Sequence, residues 1–88
     1  MNLEQERIDI LHASADGRER DVMHYQINID NYRLAIAEIE ANHADDAALT
    51  TFANNLRELL ASSLVEQGKE RILLKVIRSQ LEATCTSS

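Results

Sequence analysis

Three acid–histidine pairs are the residues of this chain whose types and spacing could do chemistry. The pairs are Asp9/His12, Asp21/His24 and Glu40/His43. On a helix, a carboxylate three residues before an imidazole lies on the same side, and Glu-x-x-His supplies ligands in di-iron four-helix bundles. The first two pairs fall outside the apolar stripe described below, and that stripe lacks the inward glutamates that such a site also needs. A metal-binding bundle is therefore the least favoured of three functional hypotheses, and we expect no metal or cofactor.

Nucleophilic catalysis has little support in the sequence. Cys85 falls in a predicted polar tail with no fixed base nearby, and Ser62 and Ser63 fall inside a predicted helix. No glycine-rich phosphate loop, zinc-ligand spacing or nucleophile elbow is present. We expect no catalytic residues and a protein that is not an enzyme.

The composition of the chain excludes several fold classes and kinds of binding partner. The chain has 88 residues, enough for one domain, with no proline and two glycines, which argues against a turn-rich β fold. Its net charge is −6 and its pI is about 4.9, so we expect no direct binding to nucleic acid and none to a membrane, for which it also lacks an apolar span. A single cysteine and the absence of a secretory signal at the N-terminus favour a cytoplasmic location.

The elements that position these residues are predicted by apolar periodicity. From Ile8 to Ile39 the steps alternate between three and four residues, and only Arg18 interrupts the apolar series. The series is Ile8, Leu11, Ala15, Arg18, Val22, Tyr25, Ile29, Tyr32, Ile36 and Ile39. This is an a/d heptad pattern, which predicts one long amphipathic helix.

A polar segment at residues 42–46 then predicts a turn, with Asn42 as a left-handed C-terminal residue and Asp45 or Asp46 as the N-cap of a second helix. The apolar residues of this second helix are Leu49, Phe52, Leu56, Leu59, Leu60, Leu64, Ile72, Leu73, Val76, Ile77 and Leu81. We expect a first arm at about 3–41, a second at about 47–83, a single domain over 1–83 and a flexible tail at 84–88.

The two glycines leave two all-α architectures open. With the turn near residue 43, Gly17 and Gly68 lie at nearly the same height along the two arms. If the arms break there, the chain folds into a compact four-helix monomer. If they continue, the chain is an antiparallel hairpin with coiled-coil-like packing in which the glycines permit close approach of the backbones. The unbroken heptad across Gly17 favours the long hairpin.

The chain carries more apolar surface than one hairpin can bury, so we expect it to dimerise into a four-helix bundle. The core would pack Val22–Ile39 on Leu49–Leu64, and the Ile72–Leu81 segment would bind a second copy or another protein. Candidate interaction residues are Ile27, Leu34, Ile72, Leu74, Ile77, Leu81 and Arg18. Arg18, at a core position, either pairs with an acid such as Glu66 or Glu70 or fixes register and partner choice.

Charge supports the antiparallel hairpin and also an alternative function. Residues 1–41 carry a net charge of −5 and residues 69–78 a net charge of +3. The candidate acidic face comprises Glu4, Glu6, Asp9, Asp16, Glu19 and Asp21. The leading hypothesis is a non-enzymatic homodimeric adaptor or regulatory accessory protein with an unidentified protein partner. The alternative is a phage- or mobile-element-type inhibitor that sets the acidic face against the basic groove of a nucleic-acid-handling enzyme or defence complex.

Overall fold

The chain forms two long helices that pack against each other as an antiparallel hairpin. The structure, a computed structural model, describes residues 2–86, with side chains to residue 84. Helix α1 spans Leu3–Asn42 and helix α2 spans Ala47–Thr86. The molecule measures 65 × 20 × 15 Å, the length expected of 40-residue helices. The predicted all-α hairpin is confirmed, and the compact four-helix monomer is not what the chain forms.

Polar side chains cap the start of both helices. The Asn2 side chain accepts hydrogen bonds from the backbone N–H groups of Glu4 and Gln5, at 3.0 and 3.2 Å. Asp46 Oδ1 accepts from Leu49 N at 3.1 Å, so Asp46, and not Asp45, is the N-cap of α2.

The prediction of a left-handed Asn42 is wrong. Asn42 is the last helical residue, His43 follows with φ of −136°, and no described non-glycine residue has a positive φ. Helix α2 also continues through Thr86, three residues beyond the predicted end of the second arm. Of the predicted tail, Ser87 and Ser88 lie outside the described residues.

The predicted stripe of α1 is the side that meets α2. All ten residues of the Ile8–Ile39 series are buried or half-buried. Near the turn, the buried core joins Ile36 and Ile39 to Ala53 and Leu56 of α2, with Leu49 and Leu60 packed around it. The predicted core pairing of Val22–Ile39 with the start of α2 is therefore correct as far as Leu60, whereas Leu64 is exposed.

The buried stripe of α2 differs from the apolar series read in the sequence. Phe52, Leu59, Ile72, Leu73 and Val76 are exposed. The side facing α1 instead follows alternating steps of four and three residues and includes three polar side chains near its middle. It comprises Leu49, Ala53, Leu56, Leu60, Ser63, Gln67, Glu70, Leu74, Ile77, Leu81 and Thr84. Polar residues occupy part of the seam, so much of the apolar surface of α2 faces outward.

Both glycines lie inside continuous helices. A Cβ atom placed on Gly17 or Gly68 would meet nothing within 4 Å, so neither glycine mediates close approach within the hairpin. The prediction that the glycines permit close approach of the two backbones is wrong for the single chain, because both residues lie away from the seam. Within residues 2–86, neither helix is long and apolar enough to cross a membrane.

Candidate interaction surfaces

A layer of polar side chains lies near the middle of the seam. Arg18 Nη1 donates to both carboxylate oxygens of Glu70, at 2.9 and 3.0 Å, and the Glu70 side chain is only 17% exposed. The expectation that Arg18 pairs with an acid on α2 is thus confirmed for Glu70, whereas Glu66 binds Lys69 instead. A half-buried charge pair of this kind stabilises one alignment of two helices over its neighbours, because any shift would leave a charge unpaired. The role of Arg18 in register stays a prediction.

Gln67 extends this polar layer by one turn of α2. Its side chain is 6% exposed, and its Nε2 donates to the Val22 carbonyl at 3.1 Å and to Gln26 Oε1 at 3.0 Å. No described buried side-chain nitrogen or oxygen lacks a hydrogen-bond partner. The polar layer is therefore satisfied within the hairpin and leaves no unpaired group that calls for a ligand.

Residues flanking the seam form two flat faces of unlike chemistry. On one face the helices are joined by ion pairs between Glu19 and Arg78 and between Glu40 and Arg57. With Ile8 as position a and Leu11 as position d, these residues occupy the heptad e positions, each directly after a d residue of the seam. Arg33 and Arg71 also lie at e positions, so six of the eleven e residues whose side chains are described are charged. We call this side the charged face. A shallow groove of about 620 Å³ opens on it between Met23 and Lys75.

The opposite flat side, which carries the heptad g positions, is largely uncharged. Three of its five α2 residues are Phe52, Leu59 and Leu73, which are all exposed and are separated by seven and fourteen residues. The g positions of α1 that lie beside these residues are Ala35, Asn28 and Ser14. Only Arg7, Asp21 and Glu66 are charged among the eleven g residues. We call this side the apolar face.

The predicted interaction residues divide between the seam and the outer edges of the helices. Ile27, Leu34 and Ile72 are exposed at the positions farthest from the seam. Leu74 is buried, and Ile77 and Leu81 are half-buried in the seam, so these three pack within the hairpin rather than on a free surface. The sequence did not separate these three residues from the exposed ones, because apolar residues surround most of α2 between Ile72 and Ile77 and periodicity alone does not identify the inward side.

The six predicted acidic residues do not form one face. Asp9 and Asp16 share a row on α1, but Glu19 is engaged by Arg78 on the charged face, and Asp21 lies across the helix on the apolar face. Glu4 and Glu6 lie in the first turn, where carboxylates interact favourably with the helix dipole. The structure therefore distributes these acids around α1 and does not align them along one side.

The acid–histidine pairs also remain separate. His12, His24 and His43 are all exposed, and within residues 2–86 no three histidine, cysteine, aspartate or glutamate side chains converge on a common point. The contact nearest to an acid–histidine pairing joins His43 to Glu38 at 3.9 Å, not to Glu40. The first two pairs lie on α1 and the third at its C-terminal end, and among the described residues none gains a third ligand from α2.

Sequence reasoning missed that the exposed row of Phe52, Leu59 and Leu73 is a distinct surface. Its spacing in multiples of seven residues was present in the sequence, one position before the seam residues Ala53, Leu60 and Leu74. Two apolar rows side by side give a broad stripe whose centre does not reveal which row is buried.

Comparison with known proteins adds no relative. The chain matches no protein-family model, and no curated protein and no solved structure is significantly similar to it.

Proposed function

We propose that this protein is a non-enzymatic helical module that acts through protein–protein contact, as a homodimer that forms a four-helix bundle. The observation that carries the proposal is the imbalance of apolar side chains. Within the described residues, twelve large hydrophobic side chains are exposed, whereas seven hydrophobic residues are buried, two of them alanines. Exposed apolar side chains in this number mark an interaction surface.

The accessible area supports self-assembly. The chain exposes 6439 Å², which is about 1,200 Å² more than the roughly 5,200 Å² expected of a compact monomer of 9.9 kDa. A standard interface removes about 800 Å² from each partner. One flat side of the hairpin is long enough to supply this area, because the molecule is 65 Å long and 20 Å wide.

Absolute mass by light scattering on a size-exclusion column tests the proposal. We expect twice the 9.9 kDa of one chain across a wide range of concentration, with dissociation on dilution. A mass that stays at one chain at the highest soluble concentration would overturn the homodimer.

Contact with a partner protein is assigned to the outer edge of α1, within the proposed function as an adaptor or regulatory accessory protein in a cytoplasmic setting. Ile27 and Leu34 lie seven residues apart there, and a dimer joined through a flat face leaves both exposed. The double variant Ile27→Ser/Leu34→Ser is expected to remain dimeric and to lose a protein that cross-links to the unchanged chain in cells. Unaltered cross-linking by this variant would contradict the assignment.

A further inference from the structure

We infer that two copies associate through the apolar face with their turns at the same end, so that α2 of each copy lies on α1 of the other. This inference rests on the proposed function, because it requires a homodimer. Beyond the existence of a homodimer, we specify its interface, the relative orientation of the two copies and the side chains that pair. The hairpin thereby supplies two of four helices in a bundle whose adjacent helices are all antiparallel.

The apolar face is a better dimer interface than the charged face, because the two faces differ in whether their side chains already have partners within the hairpin. On the charged face, the guanidinium groups of Arg57 and Arg78 already bind carboxylates of α1. Covering that face would desolvate these exposed ion pairs with little gain, because such pairs contribute little in water. On the apolar face, Phe52, Leu59 and Leu73 are exposed. The next residue in each case, Ala53, Leu60 or Leu74, faces α1 in the seam. Covering these side chains removes apolar area from water at about 25 cal/mol per Å².

The orientation follows from how large and small residues are arranged on the apolar face. Arg7 Nη2 donates to Gln80 Oε1 at 2.9 Å, so this contact pairs a g position at the start of α1 with one near the end of α2. At three of the four following heptads, a large apolar residue of α2 is paired with a small or polar residue of α1. These levels are Leu73 with Ser14, Leu59 with Asn28, and Phe52 with Ala35.

A two-fold axis parallel to the helices places each large residue of one copy over the small residue at the same level of the other. An axis across the helices instead stacks α2 on α2 and α1 on α1. Large residues then meet large ones on one side, while small residues face each other across a gap on the other side. Only the first arrangement keeps both pairs of stacked helices at the same distance, as close packing requires.

Charge favours the same orientation. Helix α1 carries nine acids and four bases, a net of −5, whereas α2 carries four acids and five bases, a net of +1. With the turns together, each α1 is stacked on an α2, and the two α1 helices are diagonal. With the turns apart, the two α1 helices are stacked directly on each other, which opposes association.

At one level of the apolar face, carboxylates would be brought together in the proposed dimer and would oppose association. Asp21 lies level with Glu66, so the dimer gathers two of each carboxylate there, together with the Lys69 ammonium groups that bind Glu66 at 2.9 Å. We therefore expect the Asp21→Asn variant to dimerise more tightly than the unchanged chain. Weaker dimerisation of this variant would contradict the proposed stacking at that level.

The surface is tested with two leucines that are both 42% exposed and lie on opposite faces. Leu73 belongs to the apolar face and Leu64 to the charged face. In sedimentation equilibrium, Leu73→Glu should raise the dimer dissociation constant at least about tenfold, because it buries a charge, whereas Leu64→Glu should change it less than about threefold. Helical circular dichroism should persist in both variants. Equal weakening by both, or an unaffected Leu73→Glu dimer, would overturn the apolar face as the interface.

The orientation is tested by one distance between two copies. A spin label is attached at Ala44→Cys, in the exposed turn, with Cys85→Ser to leave one thiol per chain. Turns at the same end place the two labels within about 30 Å, given interaxial distances of about 10 Å. A distance near the 65 Å length of the molecule would overturn this orientation while leaving the dimer intact. A monomeric unchanged chain would instead overturn the proposed function itself.

Discussion

The side-chain amide of Gln67 in α2 donates a hydrogen bond to the main-chain carbonyl of Val22 in the middle of α1, at 3.1 Å. A main-chain carbonyl is an acceptor that no substitution of Val22 removes. The contact therefore depends on the position of Gln67 along α1 and not on the side chain at position 22. Gln26 accepts a second bond from the same nitrogen. We expect this buried amide and the Arg18–Glu70 pair to favour one alignment of the two helices, because apolar contacts alone would permit slippage by a heptad.

Replacing Gln67 separates its hydrogen bonding from its volume. Gln67→Ala removes the bonds and leaves a cavity, so we expect a loss of about 1–3 kcal/mol in the free energy of unfolding. Gln67→Leu keeps the volume, and the Val22 carbonyl retains its helical partner, so its loss should be at least about 1 kcal/mol smaller. Urea denaturation followed by circular dichroism measures both values. A loss for the Gln67→Leu variant as large as that for Gln67→Ala would mean that the hydrogen bonds, not the packing, stabilise this level.

Ile29 is the side chain most completely enclosed by the seam. It is 1% exposed, whereas Ile27, two residues earlier on the same helix, is 51% exposed. Ile29→Asp buries an unpaired charge and should abolish the cooperative thermal transition. Ile27→Asp is the matched control and should change the free energy of unfolding by less than about 1 kcal/mol. A cooperative melt that survives Ile29→Asp would refute the placement of the core.

Two adjacent aspartates distinguish the N-cap of α2 from general charge effects. Asp46 Oδ1 accepts the Leu49 N–H, while no hydrogen bond or ion pair of Asp45 is seen in the described part of the chain. Asp46→Ala should cost about 1 kcal/mol of stability, and Asp45→Ala should cost less than about 0.5 kcal/mol. Thermal or urea unfolding of the two variants makes the comparison. Equal losses would indicate an interaction of the helix dipole with both carboxylates rather than a specific cap.

The glycines lower helix stability without a compensating contact in the single chain. Both positions have open space for a methyl group, so Gly68→Ala and Gly17→Ala should each stabilise the hairpin by about 0.5–1 kcal/mol. The shift of the urea midpoint measures this change. A destabilised alanine variant would show that a second molecule approaches the backbone at that position in the assembled state.

The sequence by itself determined the helical class and the inward side of α1, and it favoured the hairpin over the compact four-helix alternative. The apolar residues of α1 are concentrated in one row from Ile8 to Ile39, so their period also gives the phase of the helix. An acidic N-cap at Asp45 or Asp46 was likewise readable, because N-capping depends on local hydrogen bonds between near neighbours, and the structure selects Asp46.

Only the tertiary structure decided which side of α2 is buried. Phe52, Leu59 and Leu73 are as apolar as their neighbours Ala53, Leu60 and Leu74, and both rows repeat every seven residues. In the structure the seam runs through the second row, where Gln67 reaches the Val22 carbonyl, and Glu70, three residues later, binds Arg18. Those contacts join residues 45 and 52 positions apart, and no local pattern in α2 contains them. The same choice leaves Phe52, Leu59 and Leu73 exposed, which is why the surface proposed for a second copy became visible only once the two helices were packed.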